Sequence, residues 1–263
     1  MSAHSLTQLS DSVYCIEEND NFGEQPYIYL VVGSEKSVLI DTGVGTGNLA
    51  EFVKSRLGDE IFDKLIVVNT HNHFDHVAGN HRFDGKPIYA GSYDKEYTLD
   101  PFNTVGHVMG CKVKPYKVTD WLEDNDKIAL SSSEPDNYLQ AFYTPGHTPD
   151  SISLWYPKEK RLFVGDFIYT QAPVFCFTPK SDVKAYQQSA ERLWQFIEEQ
   201  GNTAIKMSCG HVDMELESSW MERLMQLLQK VNSGELKSSG RQMGKFPAYS
   251  HQQLTLLLGS ITD

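Results

Sequence analysis

The segment THNHFDHVAGN, Thr70 to Asn80, sets three histidines and an aspartate inside six residues, directly behind the apolar run LIVV. The chain holds nine histidines in all, so a third of them fall in this window. His71 and His73 are two apart, and on an extended segment side chains two apart project to the same side, where they can share one metal ion. Asp75 and His76 follow at a turn that opens a helix, and their different direction suits a second ion close by. Imidazoles with a carboxylate form the donor set that zinc or iron prefers. A single ion would leave donors to spare.

Working outward, three more candidates stand at the ends of later strands: His147 in TPGHTPDS, Asp166 in LFVGDFIY and His211 in SCGHVD. Beside them Gly146, Gly165 and Gly210 carry no side chain that would keep the backbone away. The division that follows places His71, His73 and His147 on the first ion and Asp75, His76 and His211 on the second, with Asp166 bridging both. Two ions about 3.5–4 Å apart bring the pKa of a bound water near 7 and polarise a carbonyl or phosphoryl oxygen, so hydrolysis is the expected reaction. Neither a Ser-His-Asp nor a Cys-His arrangement is required.

The rest of the chain is read around this cluster. SVYCIEE (Ser12 to Glu18), YIYLVVG (Tyr27 to Gly33) and SVLIDTG (Ser37 to Gly43) are short, rich in Val, Ile and Tyr, and separated by turn residues, which predicts a β-meander. KLIVVNT (Lys64 to Thr70) is a buried strand that delivers the histidines at its C-terminal end. KPIYAG (Lys86 to Gly91), YLQAFYT (Tyr138 to Thr144), SISLWYP (Ser151 to Pro157) and RLFVGD (Arg161 to Asp166) follow, and QLTLLL (Gln253 to Leu258) is read as a closing strand. Apolar spacing predicts helices over Asn48 to Leu57, Asp182 to Glu199 and Ser218 to Val231. From Ser92 to Asp124 no period emerges, and loops over a site are expected there. Strands in runs with helices after each half predict a layered α/β body, two sheets face to face with helices outside.

Length and composition bound the function. A chain of 263 residues, 40% hydrophobic, can bury one large core, and no repeat or linker divides it, so residues 1–263 are read as one domain. Thirty-five acidic against 23 basic residues give a net charge of −12, which repels polyanions and argues against a nucleic-acid partner. No apolar run reaches the roughly 20 residues of a membrane helix, and MSAHSLTQLSDS lacks the basic flank and apolar core of a signal peptide; a soluble cytoplasmic protein is expected. Cys15, Cys111, Cys176 and Cys209 form no CxxC pair and are read as reduced structural thiols.

Taken in order, His71-x-His73-x-Asp75-His76, His147, Asp166 and His211, together with LIDTG and TPGHTPDS, resemble the metallo-β-lactamase fold hydrolases from about Val13 to His211. The resemblance implies a four-layer αββα sandwich with the site at one edge of the two sheets. It also implies that Asp41 of LIDTG orients the metal ligands from behind. Zinc β-lactamases of this fold generally lack the bridging aspartate that Asp166 would supply, which speaks against antibiotic hydrolysis. The RNA-processing and DNA-repair branches carry extra domains or insertions and basic surfaces, which this chain lacks. VVGSEKSVLIDTGVGTGNL, HFDHVAGNHRFD and LFVGDFIYTQAP are similar to the eukaryotic metallo-β-lactamase-domain-containing hydrolases with acyl-CoA thioesterase activity. Tyr169 also matches the placement of a tyrosine in the similar N-acyl-homoserine lactonases, where its phenol would donate to an oxyanion.

The expectation is therefore a dinuclear zinc hydrolase, with iron or manganese as alternative metals, that cleaves an acyl thioester such as an acyl-CoA. Asp75 and Tyr169 are assigned to catalysis, and a metal-bridging hydroxide is expected to attack the carbonyl carbon while the thiolate leaves. The rivals are a lactonase, a glyoxalase-II-like hydrolase of glutathione thioesters, a mononuclear iron persulfide dioxygenase in which Asp75, His76 and His211 stand idle, and a binding protein that has kept the fold. The partner is a small-molecule substrate; oligomeric state is left open. His4, His81, His107 and His251 are read as packed or surface residues. Tyr97, Phe102, Trp121, Phe175 and Phe177 are candidates for an acyl channel against an ordinary core role. Lys112, Lys114 and Lys117 are candidates for meeting a phosphate-bearing coenzyme against a solvated face.

Overall fold

A computed structural model describes residues 2–178, 180–201, 204–242 and 246–259. The first sheet contains β1 (His4–Gln8), β2 (Val13–Glu18), β3 (Tyr27–Val32), β4 (Ser37–Ile40), β5 (Leu65–Val68), β6 (Ile88–Gly91) and β7 (Asp120–Leu122) in that spatial order. Strands β2 to β4 form the expected antiparallel meander, β1 adds to its edge a strand that the sequence reading did not include, and β4 through β7 run parallel. The second sheet uses β8 (Lys127–Ala129), β9 (Tyr138–Tyr143), β10 (Ile152–Tyr156), β11 (Arg161–Gly165), β13 (Lys206–Cys209) and β14 (Leu216–Glu217), ordered β14-β13-β11-β10-β9-β8. A third, four-stranded sheet is made of β12 (Pro173–Cys176), β15 (Arg241–Gln242), β16 (Phe246–His251) and β17 (Leu254–Leu258), ordered β12-β17-β16-β15.

Alternation along each strand divides the core into three layers of contact, because successive side chains point to opposite faces. On β3, Tyr29 and Val31 face the second sheet while Ile28 and Leu30 face outward; on β5, Ile66 and Val68 face inward while Leu65 and Val67 face outward. The inward set meets Leu139, Ala141, Ile152, Leu154 and Phe163 of the second sheet. The outward set meets Leu49, Ala50 and Val53 of α1 (Leu49–Leu57), a helix capped by the Asn48 side chain on Glu51 N. On the far side, Phe142, Trp155, Leu162 and Val164 pack against two long helices. These are Val183–Glu199, capped by Asp182, and Ser219–Asn232. The result is the αββα sandwich, and the three predicted helices each begin or end within a residue of their expected bounds.

Parallel β4 and β5 in one sheet, and parallel β11 and β13 in the other, end at the same edge of the sandwich. The two sheets are tied together there: Tyr27 N donates to Gly210 O at 2.7 Å, and the buried Tyr29 hydroxyl donates to Cys209 O at 2.7 Å. The third sheet was not expected. The closing strand is present, but it lies parallel to β12 and antiparallel to β16, outside the sandwich sheets. The segment Ser92 to Asp124 is partly helical, with short helices at Lys95–Leu99 and Gly106–Met109 and a 3-10 turn at Pro101–Thr104. No helix among the described residues is long and apolar enough to cross a membrane.

Candidate metal centre

The strand ends bring the seven candidate residues together in two groups, each with its donor atoms within 4.8 Å of one another: His71, His73 and His147, then Asp75, His76, Asp166 and His211. All seven lie at strand ends or in the turns that follow them. After β5 the chain stays extended through His73, whose φ and ψ are −77° and 151°, and then turns into the four-residue helix Phe74–Val77. That change of direction turns Asp75 and His76 toward Asp166 and His211, with the His76 ring still 4.1 Å from that of His71.

Asp166 faces both groups. Its Oδ1 lies 3.3 Å from His76 Nε2 and 3.4 Å from His211 Nε2, while its Oδ2 lies 3.7 Å from His147 Nε2. Asp75 Oδ2 is 3.2 Å from His211 Nε2, and His147 Nε2 and His73 Nδ1 face each other at 3.0 Å. Gly210 makes this approach possible. A Cβ there would stand 2.3 Å from Asp166 Oδ1 and 2.9 Å from His76 Cε1, closer than side-chain atoms tolerate.

The outer nitrogens of three imidazoles are committed to acceptors. His76 Nδ1 bonds to Asp41 Oδ2 at 2.9 Å, His147 Nδ1 to Phe175 O at 2.6 Å, and His211 Nδ1 to Glu24 O at 2.8 Å. With those acceptors outside, each Nε2 is the nitrogen that faces into the cluster and is available to a metal once its own proton is released. Asp41 is itself fixed by Thr70, whose backbone N–H and hydroxyl both donate to it at 2.7 Å. Buried His71 Nε2, His76 Nε2 and Asp166 Oδ1 have no hydrogen-bond partner within the protein. Orphaned donors and acceptors of this kind are costly in an interior. Nitrogen and carboxylate atoms converging without partners are what a divalent transition metal satisfies, so the residues fit such an ion.

The electrostatics follow from burial and from neighbouring charge. Burial, then the adjacent His76, holds His71 well below the usual imidazole range, and burial with His147 takes His73 down to about 3. Burial also pulls His211 downward, but Asp166 and Asp75 outweigh it and raise the group to about 10. Burial opposes ionisation of Asp75 and Asp166 too, yet the facing imidazoles keep both carboxylates well below their usual range.

A cavity of about 560 Å³ opens on this cluster. His73, Asp75, His147, Asp166 and His211 line it on the polar side, and Val105, Val108, Met109, Phe175, Phe177 and Phe246 are among its apolar lining. Tyr169 lines it as well, with its ring 5.9 Å from that of His211 and its hydroxyl donating to Pro173 O at 3.3 Å. Burial, then the charge of Asp166, raises the Tyr169 phenol well above its ordinary range, so it stays protonated.

Some expectations about the surroundings are corrected. Phe175 and Phe177 line the cavity, but Tyr97, Phe102 and Trp121 do not. Tyr97 is fully buried beneath Lys180, Phe102 stacks on His107, and Trp121 sits under Lys95. The segment between Ser92 and Asp124 reaches the cavity through aliphatic Val105, Val108 and Met109 instead. Lys112, Lys114 and Lys117 are exposed and line no part of it, and none of His4, His81, His107 and His251 joins the metal-holding groups. Glu24, Thr70 and Phe246 carry parts of the site that the sequence did not signal. Glu24 lines the cavity, where burial and then the Asp75 charge push its carboxyl up to about 7, yet DNFGEQP reads only as a polar turn.

Residues 22–196 match the family described as the metallo-beta-lactamase superfamily. The chain belongs to that superfamily. Among curated metallo-beta-lactamase relatives it is 29% identical over 214 residues to the acyl-coenzyme A thioesterase MBLAC2 of Homo sapiens, spanning 72% of this chain and 75% of that protein. It is 30% identical over 188 residues to the probable metallo-hydrolase MJ0888 of Methanocaldococcus jannaschii, spanning 68% of this chain and 85% of the relative. The metallo-beta-lactamase from Pontibacter korlensis superposes with a TM-score of 0.64 at 21% identity, over 86% of this chain and 99% of that one, a likeness of fold. The chain is thus a metallo-beta-lactamase superfamily hydrolase with His and Asp groups able to bind metal.

Proposed function

We propose that the chain is a zinc-dependent thioesterase acting on acyl thioesters of the acyl-CoA kind. The observation that carries this reading is an apolar cavity of about 560 Å³ joined directly to the His and Asp cluster. A long aliphatic chain and a carbonyl are the two substrate parts that such a cavity accommodates together. The similarity to acyl-coenzyme A thioesterases supports the same substrate class.

His71, His73 and His147 would hold one ion and Asp75, His76 and His211 the other, with one Asp166 oxygen for each. The same nitrogen and oxygen donors accept iron or manganese. When bound, the metals supply Lewis acidity and a water of lowered pKa. The protein's own residues do the rest. Asp41, Phe175 O and Glu24 O hold the outer imidazole protons, so that the inner nitrogens are presented as lone pairs. Apolar side chains around the cavity exclude bulk water from the acyl group. Tyr169, kept protonated, turns its long bond from Pro173 O toward the substrate oxygen as negative charge develops there. A thiolate leaves more readily than an alkoxide because its conjugate acid is the stronger one, which lessens the need for a general acid.

The test is a side-by-side hydrolysis screen of the zinc-loaded protein on acyl-CoAs, S-acyl glutathiones, lactones and a β-lactam. Preferred turnover of acyl-CoAs is expected. Preferred opening of lactones or cleavage of S-acyl glutathiones overturns the substrate, and one iron per chain with oxygen uptake on a persulfide overturns the reaction.

A further inference from the structure

We infer that the stacked rings of Phe177 and Phe246 form the surface on which the acyl chain lies, and so determine how binding depends on acyl length. The inference rests on the thioesterase reading and adds residues to it. It starts from β12, where alternation turns Pro173 and Phe175 to the cavity while Val174 and Cys176 join the core beneath the two long helices. Phe175 O holds His147, so this strand begins at the reacting end. Phe177 stands two residues on, just past the strand, with its ring centroid 5.2 Å from that of Phe175. A substrate whose carbonyl sits at the cluster therefore meets Phe175 first and Phe177 later.

The partner ring comes from the far side of the third sheet. Phe246 belongs to β16, and β17 lies between β16 and β12, yet the two rings stack with centroids 3.8 Å apart and planes 13° from parallel. The registers explain how. Cys176 pairs with Leu258 on one side and Ala248 with Leu257 on the other, so continuing both ladders sets Gly259 between Phe177 and Phe246. A Cβ at position 259 would stand 3.4 Å from Cys176 O and 3.9 Å from Phe177 Cβ, an ordinary contact, so a methyl fits there and a larger branched side chain is needed to reach the rings. Gly259 N donates to Cys176 O at 2.9 Å, which keeps the ladder closed to this point. Phe246 also lies beyond residues 22–196, so half of this aromatic surface comes from a part of the chain that the family match does not reach.

An aromatic surface contributes in proportion to the methylenes laid on it, at about fourfold per methylene (about 0.8 kcal/mol). The experiment compares kcat/KM of wild type, Phe246→Ala and Gly259→Val on acetyl-, hexanoyl-, dodecanoyl- and hexadecanoyl-CoA. It also measures displacement of the fluorescent fatty acid cis-parinaric acid from the same full-length proteins by fatty acids of matching length. The ratio of wild type to Phe246→Ala is expected near one for acetyl and to grow to about tenfold or more for the long chains, somewhat less than two methylenes' worth, carried in KM. Gly259→Val should do the same by parting the rings, which guards against a folding defect peculiar to one variant. A ratio equal at every length in both variants overturns the inference, because a purely structural role lowers all substrates alike. If no thioester is hydrolysed but fatty-acid binding still shows the length-dependent loss, the aromatic surface stands and the thioesterase reading falls. If thioesters are hydrolysed with a flat ratio, the reverse holds.

Discussion

His76 Nδ1 bonds to Asp41 Oδ2 at 2.9 Å, although the two residues are 35 positions apart. Asp41 takes up the left-handed backbone region, φ 65°, to reach that point, which a non-glycine residue does at a cost. Asp41→Asn presents an amide that can donate to His76 Nδ1 and so favours the wrong tautomer. Metal affinity should fall about 10–100-fold, as for other residues that orient ligands. Competition against a chromogenic chelator measures it; unchanged affinity would remove Asp41 from the site.

Asp166→Ala removes the one carboxylate that faces both groups of donors. Metal content, read by elemental analysis after dialysis, should drop below that of the wild type, and turnover should drop with it, since a shared anion offsets repulsion between two cations. Normal metal content with near-normal turnover would contradict the bridging assignment.

Gly210→Ala forces a methyl group to within 2.3 Å of Asp166 Oδ1. The loop carrying His211 must retreat, so activity and metal content should both collapse while far-UV circular dichroism stays close to wild type. Retained activity would show that the loop yields without moving the cluster.

Tyr169→Phe should lower kcat by about tenfold or more with little change in KM, as expected for a donor used mainly in the transition state. The bond of its hydroxyl to Pro173 O in the resting structure is long, at 3.3 Å, so stability should change by less than about 1 kcal/mol. An unchanged kcat would leave Tyr169 a cavity-lining aromatic.

Much of the site is legible in the sequence because its spacing is short and its residue types are scarce. His71, His73, Asp75 and His76 declare themselves within six residues, and the strands that support them are short apolar runs, such as Ile28 to Val31, bounded by turn residues. The third sheet was illegible for the opposite reason. PVFC is four residues long, and its partner Leu254–Leu258 lies some 80 positions away; nothing local distinguishes a strand whose pairing is so remote. The aromatics between Ser92 and Asp124 misled in the same way. Side-chain type shows what a residue can do, but facing depends on short helices such as Gly106–Met109, too brief to leave a period.

The bonds from Tyr27 N to Gly210 O and from Tyr29 Oη to Cys209 O join the sheets at the edge that holds the cluster. The opposite end is fastened as well, by Glu35 N donating to Leu130 O at 3.0 Å and by the Ser12 and Tyr156 hydroxyls 3.0 Å apart, so the two sheets are joined at both ends of the sandwich. The amide of Tyr27 should exchange with solvent deuterium only through the largest opening of the fold, whereas amides of β1 and of the β7 border should exchange through small local ones. A protein that opens in this order keeps residues drawn from both halves of its chain in register until the last cooperative unit gives way.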